Sequence, residues 1–499
     1  MAARASIAEP IALPAPRTNT RAIRAIATAA LAAATLLGRG QPAPAQAANP
    51  SQILSDDIQA TAQDLRTDAL KGTGAMALVE SLATEVGPRP AGSAADARAV
   101  GWAVRTLGSL GFSNVHTEKV KVPRWERGAE SGEIVTPFPQ RVALAALGGS
   151  VGTPGSGIEA PVVEVADLDG LAKLEPAKVK GKIVFFNTVM ARTRDLSGYA
   201  KAVTVRGDGA ARAGAAGAVA VLVRSIGTDN NRLPHTGATT YAASGNKIPA
   251  AALSVPDANL LAAELATGKP VTFRLRLGAR SLPEGESANV IAEVPGREKP
   301  GEIVLLGCHL DSWDLGTGAL DDGAGCGIVI ESARRIAKLA VRPRRTLRVV
   351  LFANEEFGLS GAIAYAAAHA AELPRHVLAL ESDLGSGRIW RVSSKVAPES
   401  QGWVRELARL LGPLKVTMDG NDAEGGADLI PLAKAGVPQL ALEQDATAYF
   451  DFHHSANDTA DKISALDLDF DVAAWTAAVY AAAELPGDFG RIKETAPGP

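Results

Sequence analysis

The stretch VLLGCHLDSWDLGTGALDDGAGCG, residues 304–327, decides the fold. An apolar run typical of a buried strand ends in His309 and Asp311, and a glycine-rich loop then carries Asp321 and Asp322 to the start of a helix. A strand that leads through a loop into a helix is the unit from which parallel sheets are built. In such sheets ligands bind beyond the carboxyl ends of the strands, so these polar residues lie where a site is expected.

The same alternation of strands and helices continues toward the end of the chain. Strand-like segments include ANVIAEVPG, RTLRVVLFANEE, RHVLALESDLG and VPQLALEQD, and helical segments such as GAGCGIVIESARRIAKLA and SQGWVRELARLLG separate them. This alternation predicts an α/β domain of three layers, helix–sheet–helix, around a mostly parallel central sheet. Residues 286–490 form its main part, and the helical segments and strand of residues 49–127 form its N-terminal part.

A region of different composition interrupts this domain. Residues 128–285 are rich in Gly, Ala and Val and contain short strand-like runs, among them APVVEVAD, GKIVFFN, AVAVLVRS and VTFRLRLG. The segment YAKAVTVRGDGAARAGAAG is predicted as the one sizeable helix of this region. The sequence therefore predicts an inserted β-rich domain.

The first 48 residues read as a signal peptide. Arg17, Arg21 and Arg24 flank the apolar run AIATAALAAATLLG, which is too short to span a bilayer, and PAQAA offers small residues for cleavage near Ala47 or Ala48. A disordered Ala/Pro-rich tail is the alternative. No later stretch reaches the ~18 uninterrupted apolar residues of a membrane helix. We therefore expect a soluble, exported protein, periplasmic or extracellular, without a membrane span.

The composition excludes further classes of protein. Of the 499 residues 46% are apolar, which is enough for a large core, and a net charge of -3 provides no basic field for nucleic acid. The two cysteines, Cys308 and Cys326, cannot form a disulfide framework. A single bridge between them and two buried thiols both remain open.

Candidate site residues lie at the ends of predicted strands and in the loops that follow them. They are His309, Asp311, Asp321, Asp322, Glu355, Glu356, Asp383, His453 and His454. Imidazole and carboxylate groups together suit zinc, and two zinc ions ~3.5–4 Å apart can share a carboxylate and a water. The sequence therefore predicts that four loops deliver ligands for two zinc ions to one edge of one sheet.

The pattern also suggests how these residues divide the work. Glu355 and Glu356 are adjacent and point to different places, so one can bind metal while the other reaches the water as a general base. Asp311 can accept the ring N–H of His309 and fix its orientation. The remaining histidines are expected to be ordinary surface or hydrogen-bonded core residues: His116, His235, His369 and His376.

The ordered motifs HLDSWDLGTGALDDGAG, NEE, ESD and FHHS resemble those of the co-catalytic di-zinc exopeptidases, the superfamily of aminopeptidases and glutamate carboxypeptidases. The upstream motif VPRWERG is similar to the plasma glutamate carboxypeptidase subgroup. The resemblance covers residues 51–485 and implies a peptidase domain with a protease-associated domain inserted at residues 128–285. It implies hydrolysis of dipeptides or short peptides with free termini, and a homodimer is a form that members often take.

The resemblance also implies roles for individual residues. Five side chains would hold two Zn2+ ions, the first bound by His309, Asp321 and Asp383 and the second bound by Asp321, Glu356 and His454. Glu355 would be the general base, and Asp311 would orient the imidazole of the first site. His453 is not chosen, because the family's ligand directly precedes a small hydroxyl residue, here Ser455.

Two features of the sequence depart from the family pattern, and three alternative functions remain open. Cys308 stands where a small residue such as Gly is usual, and GNDAEGGA precedes DLIPLAKAGVP, which leaves the substrate preference open. Aminoacylase-type peptidases share the ligand order, but their extra domain follows the carboxylate ligands. Glutaminyl cyclases share the fold with one zinc and lack the first histidine. A receptor-like binding module on the same fold would have lost metal ligands.

Overall fold

The computed structural model describes residues 54–241 and 245–492 of the chain. The predicted signal peptide, residues 1–48, lies outside these described residues. Within them, no helix combines the length and the apolar character that crossing a membrane requires.

The described residues form two sheets of eight strands each. In chain order the strands are β1 (Ser113–Glu126), β2 (Glu130–Thr136), β3 (Gln140–Val142), β4 (Leu144–Ala146), β5 (Ile158–Val165), β6 (Ile183–Phe186), β7 (Ala220–Arg224), β8 (Ala250–Leu253), β9 (Thr272–Leu277), β10 (Arg280–Val294), β11 (Lys299–His309), β12 (Arg345–Phe352), β13 (His376–Glu381), β14 (Ile389–Lys395), β15 (Thr417–Met418) and β16 (Gln439–Gln444).

Helices connect these strands. The α-helices of the described residues are α1 (Asp56–Ala69), α2 (Ala75–Glu85), α3 (Ala94–Ser109), α4 (Leu168–Ala172), α5 (Pro176–Val179), α6 (Ser197–Ala215), α7 (Val255–Ala266), α8 (Ala324–Ala337), α9 (Ser360–Ala368), α10 (Gln401–Leu411), α11 (Ile430–Lys434) and α12 (Ala465–Glu484). Ser93 caps α3, because its side-chain oxygen accepts a hydrogen bond from the backbone N–H of Asp96 at 3.1 Å.

The first sheet has the strand order β1-β10-β12-β11-β13-β16-β14-β15. Its centre is parallel, because β11 pairs in parallel with β12 and β13, and β13 pairs in parallel with β16. Antiparallel pairs flank this centre, with β10 between β1 and β12 on one side and β14 against β16 on the other. The predicted α/β class is confirmed, with a mixed sheet whose parallel part is central.

Helices cover both faces of this sheet. Along β11, Val304 and Leu306 pack in one apolar cluster with residues of α8 and α12, whereas Ile303 and Leu305 pack in another with residues of α9 and α11. Successive residues of a strand point to opposite faces, so a strand buried on both faces must be apolar throughout. The continuous apolar run that ends at His309 is therefore explained by burial between two helical layers.

The second sheet has the order β3-β2-β9-β5-β6-β7-β8-β4 and is built entirely from the region between β1 and β10. Strands β5 to β8 are parallel to one another, and α6 packs against β6 and β7. The predicted β-rich insertion is confirmed. The prediction of a single sizeable helix is wrong, because residues Val255–Ala266 form α7 after an N-terminal cap at Ser254.

A buried hydrogen-bonded chain lies beside β13. Arg348 donates to the Tyr365 hydroxyl at 3.0 Å, and this hydroxyl lies 2.8 Å from Nε2 of His376. Nδ1 of His376 donates to the carbonyl oxygen of Glu372 at 3.3 Å, so Nε2 accepts from Tyr365 and the imidazole is neutral. Burial, reinforced by the charge of Arg348, lowers the pKa of His376 to about 4.

His376 is expected to make the fold sensitive to acid. Its pKa in the unfolded chain is about 6.5, so between pH 6.5 and 4 the unfolded state binds the extra proton and stability falls as the pH is lowered, by up to about 3 kcal/mol. Urea unfolding at pH 7 and pH 4.5 measures this loss. His376→Gln should reduce the loss. An equal loss in the His376 variant would contradict the assignment.

Candidate metal centre

Polar residues from several loops gather at one edge of the first sheet. His309 is the last residue of β11, while Glu355 and Asp383 follow the ends of β12 and β13 by three and two residues. These strands are adjacent and parallel, so their carboxyl ends coincide. Asp321 reaches the same place just before α8, and His454 does so from the loop between β16 and α12.

The first half of the centre surrounds His309. Its Nε2 atom lies 3.2 Å from Oδ1 of Asp321 and 3.4 Å from Oδ1 of Asp383. On the other side of the ring, Nδ1 donates to the carbonyl oxygen of Asp311 at 3.1 Å, which leaves the lone pair on Nε2. The imidazole and two carboxylates therefore present three donor atoms to one point.

The second half lies on the opposite oxygen of Asp321. Nε2 of His454 is 3.2 Å from Oδ2 of Asp321 and 2.9 Å from Oε2 of Glu356. His453 is the more distant of the two histidines, with its Nε2 atom 3.7 Å from the same Oδ2 atom. The carboxylate of Asp321 thus faces one group of donors with each oxygen, the arrangement that a carboxylate shared by two cations requires.

Asp311 joins this centre to the neighbouring loop. Its Oδ1 atom accepts a hydrogen bond from the backbone N–H of Glu355 at 3.0 Å and lies 3.7 Å from Nδ1 of His309. The closer partner of that ring nitrogen is the Asp311 carbonyl oxygen, whereas the sequence indicated its carboxylate. Asp311 consequently orients both the imidazole and the backbone that carries Glu355.

The inserted domain holds the histidine loop. Nδ1 of His454 lies 3.3 Å from the carbonyl oxygen of Thr236, which can only accept, and 3.4 Å from Nη1 of Arg206, which can only donate. Donation to the closer carbonyl oxygen leaves Nε2 as the donor atom toward the centre. His235 is fully buried and donates from Nδ1 to the carbonyl oxygen of His453 at 2.6 Å, so it is the hydrogen-bonded core residue that was expected. His454 has a positive φ of 60°, a costly conformation that these contacts hold in place.

Buried negative charge dominates the site. Burial, together with the charge of Asp321, raises the pKa of Glu356 to about 7, and burial raises the pKa of Glu355 well above its ordinary value. Burial alone would lower the pKa of His309, but the charge of Asp383 and hydrogen bonds to its neighbouring carboxylates raise it well above its ordinary value. Such a cluster of acids calls for additional positive charge.

The donor atoms fit divalent zinc. Oδ2 of Asp321 and Oε1 of Glu356 are buried, and neither accepts a hydrogen bond from any described residue. Nitrogen and oxygen ligands of this kind suit Zn2+, and a cation between them would compensate both the unpaired oxygens and the accumulated charge. His309, Asp321 and Asp383 form one close group of donor atoms, and Asp321 and the two adjacent histidines form another.

Other buried acids fix the backbone of the loops that carry the centre. Asp322 accepts hydrogen bonds from the backbone N–H groups of His309 at 3.1 Å and Gly325 at 3.0 Å, which fixes the loop that presents its neighbour Asp321. Asp458 was not among the predicted site residues, and it accepts from the backbone N–H of Leu320 at 2.6 Å. Its position four residues after the histidine pair was the available sequence signal.

A cavity of about 930 Å³ opens onto this centre. The cavity is lined on the side of the centre by Glu355, Glu356, Asp383 and the histidine pair. Elsewhere it is lined by Tyr199 and Arg206 of the inserted domain and by residues of the segment 419–443. This volume lies in the range of about 300–1,000 Å³ that is typical of small-molecule sites. A short peptide or a similarly sized ligand is therefore the kind of molecule that the site accommodates.

Comparison with known proteins agrees with this geometry. Residues 289–477 match peptidase family M28, and residues 158–261 match the PA domain. Carboxypeptidase Q from Mus musculus is 36% identical over 404 residues, which are 81% of this chain and 84% of that protein. The crystal structure of a peptidase M28 precursor from Shewanella amazonensis SB2B has 44% identity and a TM-score of 0.87, covering 88% of this chain and all 100% of that one.

A more distant structure shares the fold. BSAP, a zinc aminopeptidase from Bacillus subtilis, is 22% identical with a TM-score of 0.60, covering 82% of this chain and 96% of that chain. The superfamily resemblance inferred from the motifs is confirmed by the family match and the closer relatives. The chain therefore belongs to peptidase family M28, and it is a metallopeptidase that carries a PA domain.

Proposed function

We propose that this protein is an exported di-zinc exopeptidase that hydrolyses dipeptides or short peptides with free termini. The observation that carries the proposal is the position of Asp321, whose two oxygens each face a histidine and a further carboxylate. The relatives named carboxypeptidase Q and zinc aminopeptidase support the reaction class and the metal. A receptor-like module, by contrast, has no support from a peptidase family match.

The metal ligands divide into two sets with one shared member. His309, Asp321 and Asp383 would hold the first ion, and Asp321, Glu356 and His454 would hold the second. When bound, such a pair of zinc ions would supply positive charge that lowers the pKa of a water from ~15.7 toward ~7 and polarises a carbonyl oxygen. The hydrogen bonds to Nδ1 of each histidine support this assignment, because they leave both Nε2 atoms available.

The protein's own residues manage the proton and the substrate. Glu355 lines the cavity beside the ligands and would take the proton of the attacking water and pass it to the leaving amine. Asp311 would keep Glu355 in register through the hydrogen bond to its backbone N–H. A free amino group of the substrate would be recognised at the same centre, which favours aminopeptidase or dipeptidase action.

Other parts of the proposal concern the whole chain. The signal peptide of residues 1–48 would direct export to the periplasm or outside the cell, and the mature N-terminus, read by mass spectrometry, tests it. The domain division at 49–127, 128–285 and 286–490 is supported by the second sheet, whose strands fall between Glu130 and Leu277. A homodimer is proposed from the family resemblance, and sedimentation would measure it.

A panel of peptides tests the proposed activity. The purified zinc-loaded protein is expected to cleave free dipeptides and to lose activity when the N-terminus is acetylated, because the ammonium group is then absent. Tripeptides with free and amidated C-termini would show from which end residues are released. Equal rates for acetylated and free peptides would contradict recognition of the amine, and cleavage within long blocked peptides would contradict the exopeptidase assignment.

The histidine pair offers a direct test of ligand choice. His454→Ala is expected to lose one zinc ion per chain and most of the activity, since its Nε2 atom lies 2.9 Å from Glu356. His453→Ala should retain both ions, because Nε2 of His453 is farther from the shared carboxylate, at 3.7 Å. Zinc counting by atomic emission checks both variants. Loss of zinc from the His453 variant alone would reverse the assignment.

A further inference from the structure

A second cavity, of about 440 Å³, adjoins the metal centre. Its walls come from the two motifs whose purpose the catalytic proposal leaves unexplained, VPRWERG at residues 122–128 and SWD at residues 312–314, together with the segment around Asn354. Glu356 lines this cavity as well as the first one. Its volume lies within the range of about 300–1,000 Å³ of small-molecule sites.

One part of the wall is apolar and aromatic. The rings of Trp125 and Trp313 meet edge to face with their centroids 6.5 Å apart, and Phe357 meets Trp313 in the same way at 6.3 Å. Leu282 lines the cavity as well. Aromatic side chains arranged in this way offer a large, rigid contact area for an apolar group.

Three polar groups of the wall lack partners among the described residues. Nε1 of Trp313 and Oδ1 of Asn354 are buried without a hydrogen bond, although Nδ2 of Asn354 donates to the Ser360 hydroxyl at 2.8 Å. The guanidinium of Arg124 makes neither an ion pair nor a hydrogen bond within the described part of the chain, whereas Arg127 nearby is paired with Asp314 at 2.6 Å. A buried polar atom without a partner is costly, so Nε1 of Trp313 and Oδ1 of Asn354 favour a polar occupant, and the half-buried guanidinium of Arg124 is available to one.

Two glycines leave room for the side chain of Arg124. A Cβ atom at Gly285 would lie 2.4 Å from Cδ of Arg124, and one at Gly92 would lie 2.9 Å from its Cγ atom. The aliphatic stem of this arginine therefore runs between two glycines that leave room for it. A guanidinium held in this way beside an aromatic wall is prepared for an anionic group.

We propose that this second cavity binds a free α-amino acid with an apolar or aromatic side chain. The carboxylate is held by Arg124 and the indole N–H of Trp313, the ammonium group donates to Oδ1 of Asn354, and the side chain packs between Trp125 and Phe357. Two unpaired donors and one unpaired acceptor beside an aromatic wall match the groups of a zwitterionic amino acid. The same lining contains the carboxylates of Glu126, Asp311, Asp314 and Glu356, which favour its ammonium end. No peptide bond is made or broken here.

The site is placed to report on the products of the enzyme. The Trp313 ring also contacts the ring of His454, at 5.8 Å and in an edge-to-face arrangement, so an occupant of the second cavity touches a neighbour of the metal centre. Free amino acids are what an exopeptidase releases. This interpretation rests on the proposed function, but binding itself does not, and the experiment measures binding without turnover.

Equilibrium dialysis of the zinc-loaded holoenzyme tests the proposal, with acetohydroxamate, which has neither an ammonium group nor a large apolar side chain, blocking the catalytic centre. One equivalent of L-phenylalanine is expected to bind per chain. Phenethylamine lacks the carboxylate and 3-phenylpropanoate lacks the ammonium group, so both should bind more weakly. Arg124→Gln is expected to weaken L-phenylalanine and 3-phenylpropanoate by ~10–100-fold, the worth of a charge-assisted hydrogen bond, and to leave phenethylamine unchanged.

Two further variants complete the test. Arg276→Gln removes an exposed arginine of β9 that lines neither cavity, and it should bind L-phenylalanine as the parent does. Leu282→Trp fills the cavity and should weaken all three probes. The proposal is overturned if the blocked holoenzyme binds no L-phenylalanine, or if binding survives both Arg124→Gln and Leu282→Trp. If the holoenzyme bound L-phenylalanine as expected but cleaved no peptide in the absence of the blocking compound, the result would contradict the proposed function alone.

Discussion

Replacement of Asp321 by Asn is expected to remove at least one zinc ion and most of the catalytic activity. An amide offers only one oxygen and no charge, whereas the carboxylate faces His309 with one oxygen and His454 with the other. Bound zinc ions would contribute several kcal/mol of charge stabilisation in the proposed reaction, so kcat/KM should fall by ~10³–10⁴-fold. Zinc content should fall from two ions per chain to at most one.

The control for this variant is a second buried aspartate. Asp471 of α12 is fully buried and accepts a hydrogen bond from the backbone N–H of Ile389 at 2.8 Å, outside the metal centre. Asp471→Asn should lower stability but retain both zinc ions and the parent kcat. An Asp321→Asn protein that keeps two ions and full turnover would contradict the shared-carboxylate arrangement.

Glu355→Gln is expected to be the second most damaging change. Glutamine has nearly the same shape but cannot accept a proton, so loss of the general base should lower kcat by ~10²–10⁴-fold, about 3–5 kcal/mol of the activation barrier. KM and the zinc content should stay close to those of the parent, because Glu355 is not assigned as a ligand. Steady-state kinetics and metal analysis on the same preparation check both statements.

A matched variant separates this effect from a general change in the cavity. Glu424 also lines the large cavity but lies in the segment that precedes α11, apart from the assigned ligands. Glu424→Gln is expected to keep the parent kcat. If Glu355→Gln retained full activity while holding both ions, another group would have to move the proton.

Much of the site could be predicted because it follows from local patterns and one rule of sheet architecture. The apolar run before His309 and the run before Glu355 marked two buried strands, and their parallel pairing brings their carboxyl ends together. The same rule placed Asp383. The assignment of individual roles came from the resemblance of the motifs, and those roles remain predictions.

The remaining features of the site could not be predicted, because they depend on contacts between distant parts of the chain. His235 holds the carbonyl oxygen of His453, and Thr236 orients His454, although 218 residues separate the partners in each pair. Nothing in the local sequence around His235 distinguishes it from an ordinary core histidine. The contribution of the inserted domain to the metal centre therefore becomes visible only in the folded structure.

Two elements were not predicted from the sequence, for different reasons. The strand Ile389–Lys395 contains Arg391 and ends in the three polar residues at 393–395, and it pairs antiparallel to β16 instead of continuing the parallel order. In the inserted domain, helix α7 begins with Val255 and Pro256, residues that favour a strand or a turn until the cap at Ser254 is recognised. The strand shows tertiary pairing overriding a weak local preference, whereas the helix follows a local cap signal that the strand-like residues obscure.

Anomalous diffraction at the zinc edge tests the central claim most directly. Crystals of the purified protein are expected to show two peaks ~3.5–4 Å apart, one on each side of the Asp321 carboxylate, with His309 and Asp383 at one and Glu356 and His454 at the other. A single peak, or peaks away from these five side chains, would contradict the account.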